Sequence, residues 1–232
     1  MNELSDKVVL ITGANGGLGS AITRAFLEAG AIVVGTARRI TDSDFAHPRF
    51  TGVSADLTAA DAAGRLVETV LTRFERIDAL VHVLGGFAGG GAIHETTGDT
   101  WDAMMNLNLR TAFYTLRAVI PPMRQAGRGR IVAIGSRAAA EPQPNIGAYS
   151  ASKAALVSLV RTVALENKDH GITANMILPG TIDTEANRKA EPHADHSRWI
   201  APERLAALAM FLISDAGAQI TGAAIPVYGP DA

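Results

Sequence analysis

The segment Gly147-Ala148-Tyr149-Ser150-Ala151-Ser152-Lys153 sets a phenol and an amine four residues apart at the start of a helical stretch. That spacing puts both side chains on one helix face, one turn apart. An ammonium beside a phenol favours the phenolate, and a helix N-terminus acts in the same direction. The spacing therefore predicts a Tyr149 whose pKa falls from about 10 toward working pH. Such a group gives a proton to a carbonyl that is becoming an alcohol, or takes one in reverse. Alone, a Tyr and a Lys four apart are also what an ordinary amphipathic helix carries. Here Ser136 ends an apolar run thirteen residues before Tyr149. In a parallel sheet the C-terminal strand ends line the ligand crevice, so its hydroxyl is predicted to hydrogen-bond a substrate carbonyl. No Gly-x-Ser-x-Gly elbow surrounds Ser136, and no His or Asp motif marks it as a nucleophile. Asn108, within Asn106-Leu107-Asn108-Leu109, stands mid-helix, where asparagine is locally disfavoured. Facing the crevice, it would hold a water that leads protons to Lys153.

A second constellation is Thr12-Gly13-Ala14-Asn15-Gly16-Gly17-Leu18-Gly19, which follows the first apolar run and opens the first helical stretch. A turn that lets a diphosphate approach the backbone must be free of side chains, and the helix behind it offers N–H groups and a positive dipole end. Asn15 is predicted to cap or hold this turn. A tight packing turn is the bland alternative, but the position between a strand and a helix favours a dinucleotide. After the second strand the chain reads Thr36-Ala37-Arg38-Arg39, with no carboxylate before Asp42. An acidic residue there would bind ribose hydroxyls and favour NAD, whereas a basic one accommodates the 2′-phosphate of NADP. The reading is NADP, with Arg38 as the contact and NAD still open. Gly16 supplies no second basic partner, and Arg38 and Arg39 also fit a solvated surface.

The elements that must position these groups follow from short apolar runs alternating with helical patterns. Strands are expected at 8–11, 31–36, 51–54, 79–82, 130–134, 173–178 and 223–227. Helices are expected at 17–29, 59–74, 101–123, 148–167 and 202–213. Gly30 and Gly171 would close helices, and Pro121-Pro122 would stop or kink the third helix near its end. Continuous apolar strands alternating with helices imply an α/β, Rossmann-type doubly wound fold. It would have a mainly seven-stranded parallel sheet with helices on both faces, in one domain over 1–232. The polar stretch 181–200 reads as a mobile lid or substrate loop, or as a solvated surface loop.

At this point the chain resembles the short-chain dehydrogenase/reductase family over essentially its whole length. The matching pieces are Thr12-Gly13-x-x-x-Gly17-x-Gly19, Asp56-Leu57, Asn108, Ser136, Tyr149-x-x-x-Lys153 and Pro179-Gly180-Thr181-Ile182-x-Thr184. The resemblance implies Tyr149 as general acid/base, and Lys153 as the residue that binds the nicotinamide ribose and lowers the Tyr149 pKa. It implies Ser136 as orienter of the carbonyl and Asn108 as support of the proton relay. Asp56 and Leu57 would meet the adenine, Gly85 the cofactor through its own backbone, and Pro179, Gly180, Ile182 and Thr184 the nicotinamide end. Where the family often has Asn-Asn-Ala-Gly, this chain has His82-Val83-Leu84-Gly85, and Val227-Tyr228-Gly229-Pro230 stands where Asp-Gly-Gly is usual. Two stretches, 85–90 and 178–199, are similar to quinonoid dihydropteridine reductase, a branch of the same family. That branch lacks the family serine and is acidic after its second strand, so the likeness reads as ancestry or a shared lid.

Composition narrows the alternatives. A chain of 232 residues with 47% hydrophobic and 19% charged residues has the means for a buried core and is not a disordered chain. A net charge of −2 gives no footprint for nucleic acid or an anionic membrane surface. The absence of cysteine excludes disulfides, thiolate nucleophiles and thiolate metal sites. His193 and His196 flank Asp195, but no metal site is expected. The N-terminus is polar and acidic with no long apolar run, so a cytoplasmic protein is expected. Helices 101–123 and 148–167 carry the alanine and leucine expected of a dimer or tetramer interface, a pattern that a helix buried within one subunit shares. The function expected is hydride transfer between a nicotinamide cofactor and a small carbonyl or alcohol. A pteridine reductase-like enzyme and a non-catalytic dinucleotide sensor are the alternatives.

Overall fold

The computed structural model describes residues 4–231. Seven strands form one sheet in the order β3-β2-β1-β4-β5-β6-β7. They are β1 (Val8–Thr12), β2 (Ile32–Ala37), β3 (Phe50–Ser54), β4 (Ala79–His82), β5 (Gly129–Ile134), β6 (Ile172–Pro179) and β7 (Ala224–Val227). Every pairing is parallel. The order reverses between β1 and β4, and that is where a doubly wound sheet opens its ligand crevice.

The strands are apolar on both sides because both faces are covered. On one face α1 (Gly17–Glu28) and α7 (Pro202–Ile213) pack Ile22, Phe26, Leu205 and Leu212 against Val9, Ile11 and Val81. On the other, α2 (Ala62–Phe74), α4 (Thr111–Ala126) and α5 (Gly147–Asn167) pack Leu66, Leu116 and Leu156 against Leu10, Leu80 and Ile131. Alternation along a strand then places Thr12 and His82, two residues beyond Leu10 and Leu80, on the α4–α5 face. Among the described residues, no helix is long and apolar enough to cross a membrane.

Three expectations change. The third helical region begins at α3 (Gly98–Met104), passes through a π-helical turn at Met105–Arg110 and runs on as α4 to Ala126. Pro121 and Pro122 lie inside α4 and do not stop it. Val119 and Met123, fully buried, hold that last stretch against the sheet, and Gly127 at φ +64° ends it. The helix expected from Ala59 begins at Ala62, because residues 56–61 are taken up in turns set by Asp56. The segment 181–200, read as a lid or surface loop, carries local structure of its own. Ile182 pairs with Ile200 across its base, and α6 (Glu185–Ala190) occupies its middle, anchored by a two-pronged Arg188–Asp183 ion pair.

Candidate active site

The first turn of α5 carries Tyr149 and brings it beside the end of β5. There Ser136 caps a short 3₁₀ turn, its Oγ accepting from the Ala138 N–H at 3.2 Å. The Ser136 hydroxyl also hydrogen-bonds Tyr149. One turn further along α5, Lys153 is 4% exposed, and its Nζ donates to the Ile134 carbonyl at 3.1 Å. Nζ lies 6.0 Å from the centre of the Tyr149 ring. Burial pushes the Lys153 ammonium down to about 8, so it remains mostly cationic at neutral pH. The Tyr149 phenol departs from the sequence expectation. Burial raises its pKa, and the Ser136 hydrogen bond only opposes that rise. A half-buried phenol that stays protonated at neutral pH is a proton donor in waiting.

Asn108 has protein partners of its own. It is fully buried in the π-helical turn, and both its amide hydrogens are taken up by protein. Oδ1 accepts from the Gly86 N–H at 2.8 Å, and Nδ2 donates to the Gly86 carbonyl and to Ser152 Oγ, each at 3.0 Å. The amide therefore grips the loop after β4, and its side chain has no hydrogen left for a water. π-turns recur at functional sites because they redirect side chains, and this one aims Asn108 at Gly86. Gly85 is squeezed in between: a β-carbon there would lie 2.9 Å from Asn108 Oδ1 and 3.0 Å from Lys153 Nζ. The Gly85 backbone thus lies directly beside the Lys153 ammonium.

The glycine turn after β1 is as tight. Gly13 adopts φ +67° and packs on the Leu84 backbone, and a β-carbon on Gly19 would lie 1.9 Å from the Gly13 carbonyl oxygen. No side chain caps α1, whose N-cap is Gly16 and whose first turn has no acidic residue. Asn15 does not cap it; Nδ2 instead donates to the Arg39 carbonyl at 2.6 Å and ties the turn to the chain after β2. Leu18 and Leu57 are buried in the two cores, so only their backbones face a ligand. Asp56 is exposed, its carboxylate held below the usual range by the Thr58 hydroxyl and N–H, with Arg38 acting in the same sense. Arg38 itself is exposed. Pro179 ends β6, Gly180 packs on Tyr228, and Thr184 caps α6 with its methyl against the Gly17 α-carbon. Ile182 is half-buried against the α1–α7 core. Within 179–184, Thr184 is the residue that closes on the glycine turn, at Gly17.

Three participants were not singled out from sequence. Phe87 is 66% exposed, and its ring meets Tyr149 edge-on at 5.0 Å, leaving an apolar wall beside the phenol. Ser152 passes the Asn108 amide on to the Tyr149 carbonyl, donating at 2.7 Å. His82 is fully enclosed beneath the site, where burial and the Lys153 charge hold its imidazole down at about 3. Only the exchange of Asn for His at the end of β4 hinted at it.

A ring kept neutral in the fold and free to protonate when unfolded makes stability fall with acid. The folded pKa lies below the unfolded 6.5, so the unfolded chain binds more protons between these values, and stability drops as pH falls below 6.5. Denaturant titrations of wild type against His82→Asn should show wild type losing about 2 kcal/mol more between pH 7 and 5. Parallel pH profiles in the two proteins would refute this.

The fold and this arrangement of groups define an NAD(P)-dependent oxidoreductase. The family profile described as short chain dehydrogenase matches residues 7–195, and the chain belongs to the short-chain dehydrogenase/reductase family. It is 32% identical to a short chain dehydrogenase of Penicillium brasilianum, over 98% of this chain and 96% of that one. It is 31% identical to the D-beta-hydroxybutyrate dehydrogenase of Rhizobium meliloti, over 96% and 97%. The crystal structure of a 3-ketoacyl-(acyl-carrier-protein) reductase from Brucella melitensis, complexed with NADH, superposes with a TM-score of 0.89. It is 27% identical to this sequence over 97% of both chains.

Proposed function

We propose that this protein reduces a small-molecule carbonyl, or oxidises the corresponding alcohol, with NADP(H) preferred and NAD(H) also accepted. The observation that carries the reading is the convergence of Ser136, Tyr149 and Lys153 beside Gly85, at the strand ends where the sheet order reverses. The crevice fits a dinucleotide: side-chain-free contact at Gly13, Gly19 and Gly85, and an uncapped helix at the diphosphate position. Gly13, Gly17 and Gly19, with the Leu18 backbone, hold the diphosphate. Asn15 holds the turn to the Arg39 backbone, Asp56 and the Leu57 backbone lie toward the adenine, and Gly180, Ile182 and Thr184 toward the nicotinamide. The nicotinamide, when bound, supplies or accepts the hydride.

The chain supplies the rest. In the reducing direction the Tyr149 phenol gives its proton to the carbonyl oxygen, to which the Ser136 hydroxyl also donates. The Lys153 ammonium stabilises the phenolate left behind, and the Asn108 grip on Gly86 keeps the Gly85 backbone against it. Together 1–232 act as one dinucleotide-binding unit with 181–200 as the substrate loop. We place the enzyme in the cytoplasm as a homo-oligomer, a reading supported by the exposed Phe113 and Leu165 on α4 and α5.

Consumption of NADPH is to be followed across a panel of ketones, quinones and pteridines. Turnover supports the reading; dinucleotide binding by fluorescence with no turnover on any compound would favour a sensor instead. The coenzyme preference rests on Arg38, exposed beyond β2 and beside Asp56. Arg38→Ala should weaken NADPH by about tenfold or more, the loss of one charge-assisted contact, and leave NADH within about twofold. Equal losses for both coenzymes would defeat the NADP assignment.

A further inference from the structure

We propose that His82 is a positioning residue which, as the neutral Nε2–H tautomer, fixes the two halves of the dinucleotide crevice against each other. The argument begins at Thr12, the last residue of β1, whose register partner in β4 is His82. Thr12 Oγ1 lies 3.2 Å from the N–H groups of both Val83 and Leu84, and 3.0 Å from His82 Nδ1; the Val83 N–H is shared with the Thr12 carbonyl at 3.3 Å. A hydroxyl oxygen that receives two N–H donors has only its own proton left to give. With the Leu84 N–H and a share of the Val83 N–H on Oγ1, the arrangement that uses the Thr12 proton makes Nδ1 the acceptor and puts the ring hydrogen on Nε2.

This bond decides where the backbone after β4 runs. With its proton held by Nδ1, the Thr12 oxygen is turned toward the N–H groups of Val83 and Leu84. Leu84 is the residue on which Gly13 packs, with its backbone 3.1 Å from a Gly13 β-carbon. The next residue, Gly85, lies against Lys153 Nζ and Asn108 Oδ1. One imidazole thus connects the turn that meets the diphosphate to the turn that lies beside the lysine. The ring is 1% exposed, and its Nε2 has no hydrogen-bond partner among the described residues, so its only hydrogen bond is the one to Thr12. Burial is the main reason for neutrality, and the Lys153 charge acts in the same direction.

The inference rests on the dinucleotide reading, but its first test does not need a coenzyme. Selective ¹⁵N labelling of histidine in the intact protein should give one ring with a pyridine-type Nδ1 and a protonated pyrrole-type Nε2, unchanged between pH 5 and 8. An Nδ1–H tautomer at His82, or a midpoint near the ordinary histidine value, overturns the proposal. The second test is coenzyme affinity by fluorescence titration. His82→Leu removes the acceptor and should raise the dissociation constant about tenfold, whereas His82→Asn, whose amide oxygen accepts from Thr12 equally, should stay within about threefold of wild type. Thr12→Val should produce the same loss by removing the shared hydroxyl, and it keeps the test open if His82→Leu does not fold. Wild-type affinity in His82→Leu or Thr12→Val overturns the proposal. Failure of wild type itself to bind a dinucleotide would overturn the functional reading, while the tautomer measurement still decides His82.

Discussion

Tyr149→Phe should bind coenzyme as wild type does and lose turnover by about 10²–10⁴-fold, the range that a positioned proton donor contributes. The substitution removes one hydroxyl from a half-buried ring and leaves the ring in place against Phe87. The lost atom is the one to which Ser136 hydrogen-bonds. Lys153 keeps its bond to the Ile134 carbonyl and the Asn108 clamp is untouched, so the crevice stays formed. The kinetic signature is therefore a fall in kcat and kcat/KM together, with the coenzyme dissociation constant unmoved. Retained turnover would remove Tyr149 from its role. Because burial holds the phenol protonated, carbonyl reduction should persist into mildly alkaline solution and decline as Lys153 loses its charge near pH 8.

The separate origins of these groups explain how much was legible beforehand. Apolar runs set the strands to within a residue or two, because a strand covered on both faces has no polar position to blur its pattern. Tyr149, Lys153 and Ser136 were readable because helix spacing and a strand end fix their relation without tertiary detail. The direction of the Tyr149 shift was not, because it depends on how completely the loops over α5 exclude water, and no sequence spacing reports that. Asn108 was marked by its disfavoured place in a helix, but the π-turn that aims its amide at Gly86 is invisible to a 3.6-residue period. Pro121 and Pro122 show local propensity overridden by packing, since Val119 and Met123 hold α4 on the sheet past both prolines. His82 was noticed as a departure only. Its function is carried by Thr12, seventy residues earlier, and that partnership exists only once β1 and β4 pair.

The same dependence on close backbone contact makes Gly19→Ala the most damaging single-methyl change expected here. The added carbon would lie 1.9 Å from the Gly13 carbonyl oxygen and 2.8 Å from its carbon. Neither atom belongs to a side chain that can rotate away, so α1 must lift from the turn or Gly13 must lose its φ of +67°. Gly13 has little room to move, being packed on Leu84 in the neighbouring turn. Overpacking costs typically about 1–3 kcal/mol, and a backbone-on-backbone clash belongs at the top of that range. Thermal denaturation should therefore show a fall in Tm of about 10 °C. Coenzyme affinity should fall further than stability, because the displaced backbone is the surface on which the diphosphate is proposed to rest. Gly64→Ala is the matched control. Gly64 lies in α2 with nothing within 4 Å of the new carbon, so the same methyl should raise stability by up to about 1 kcal/mol through helix propensity. Opposite signs for the two substitutions separate close approach from the general cost of losing a glycine; a Gly19→Ala protein with wild-type Tm and coenzyme affinity would refute the diphosphate turn as described.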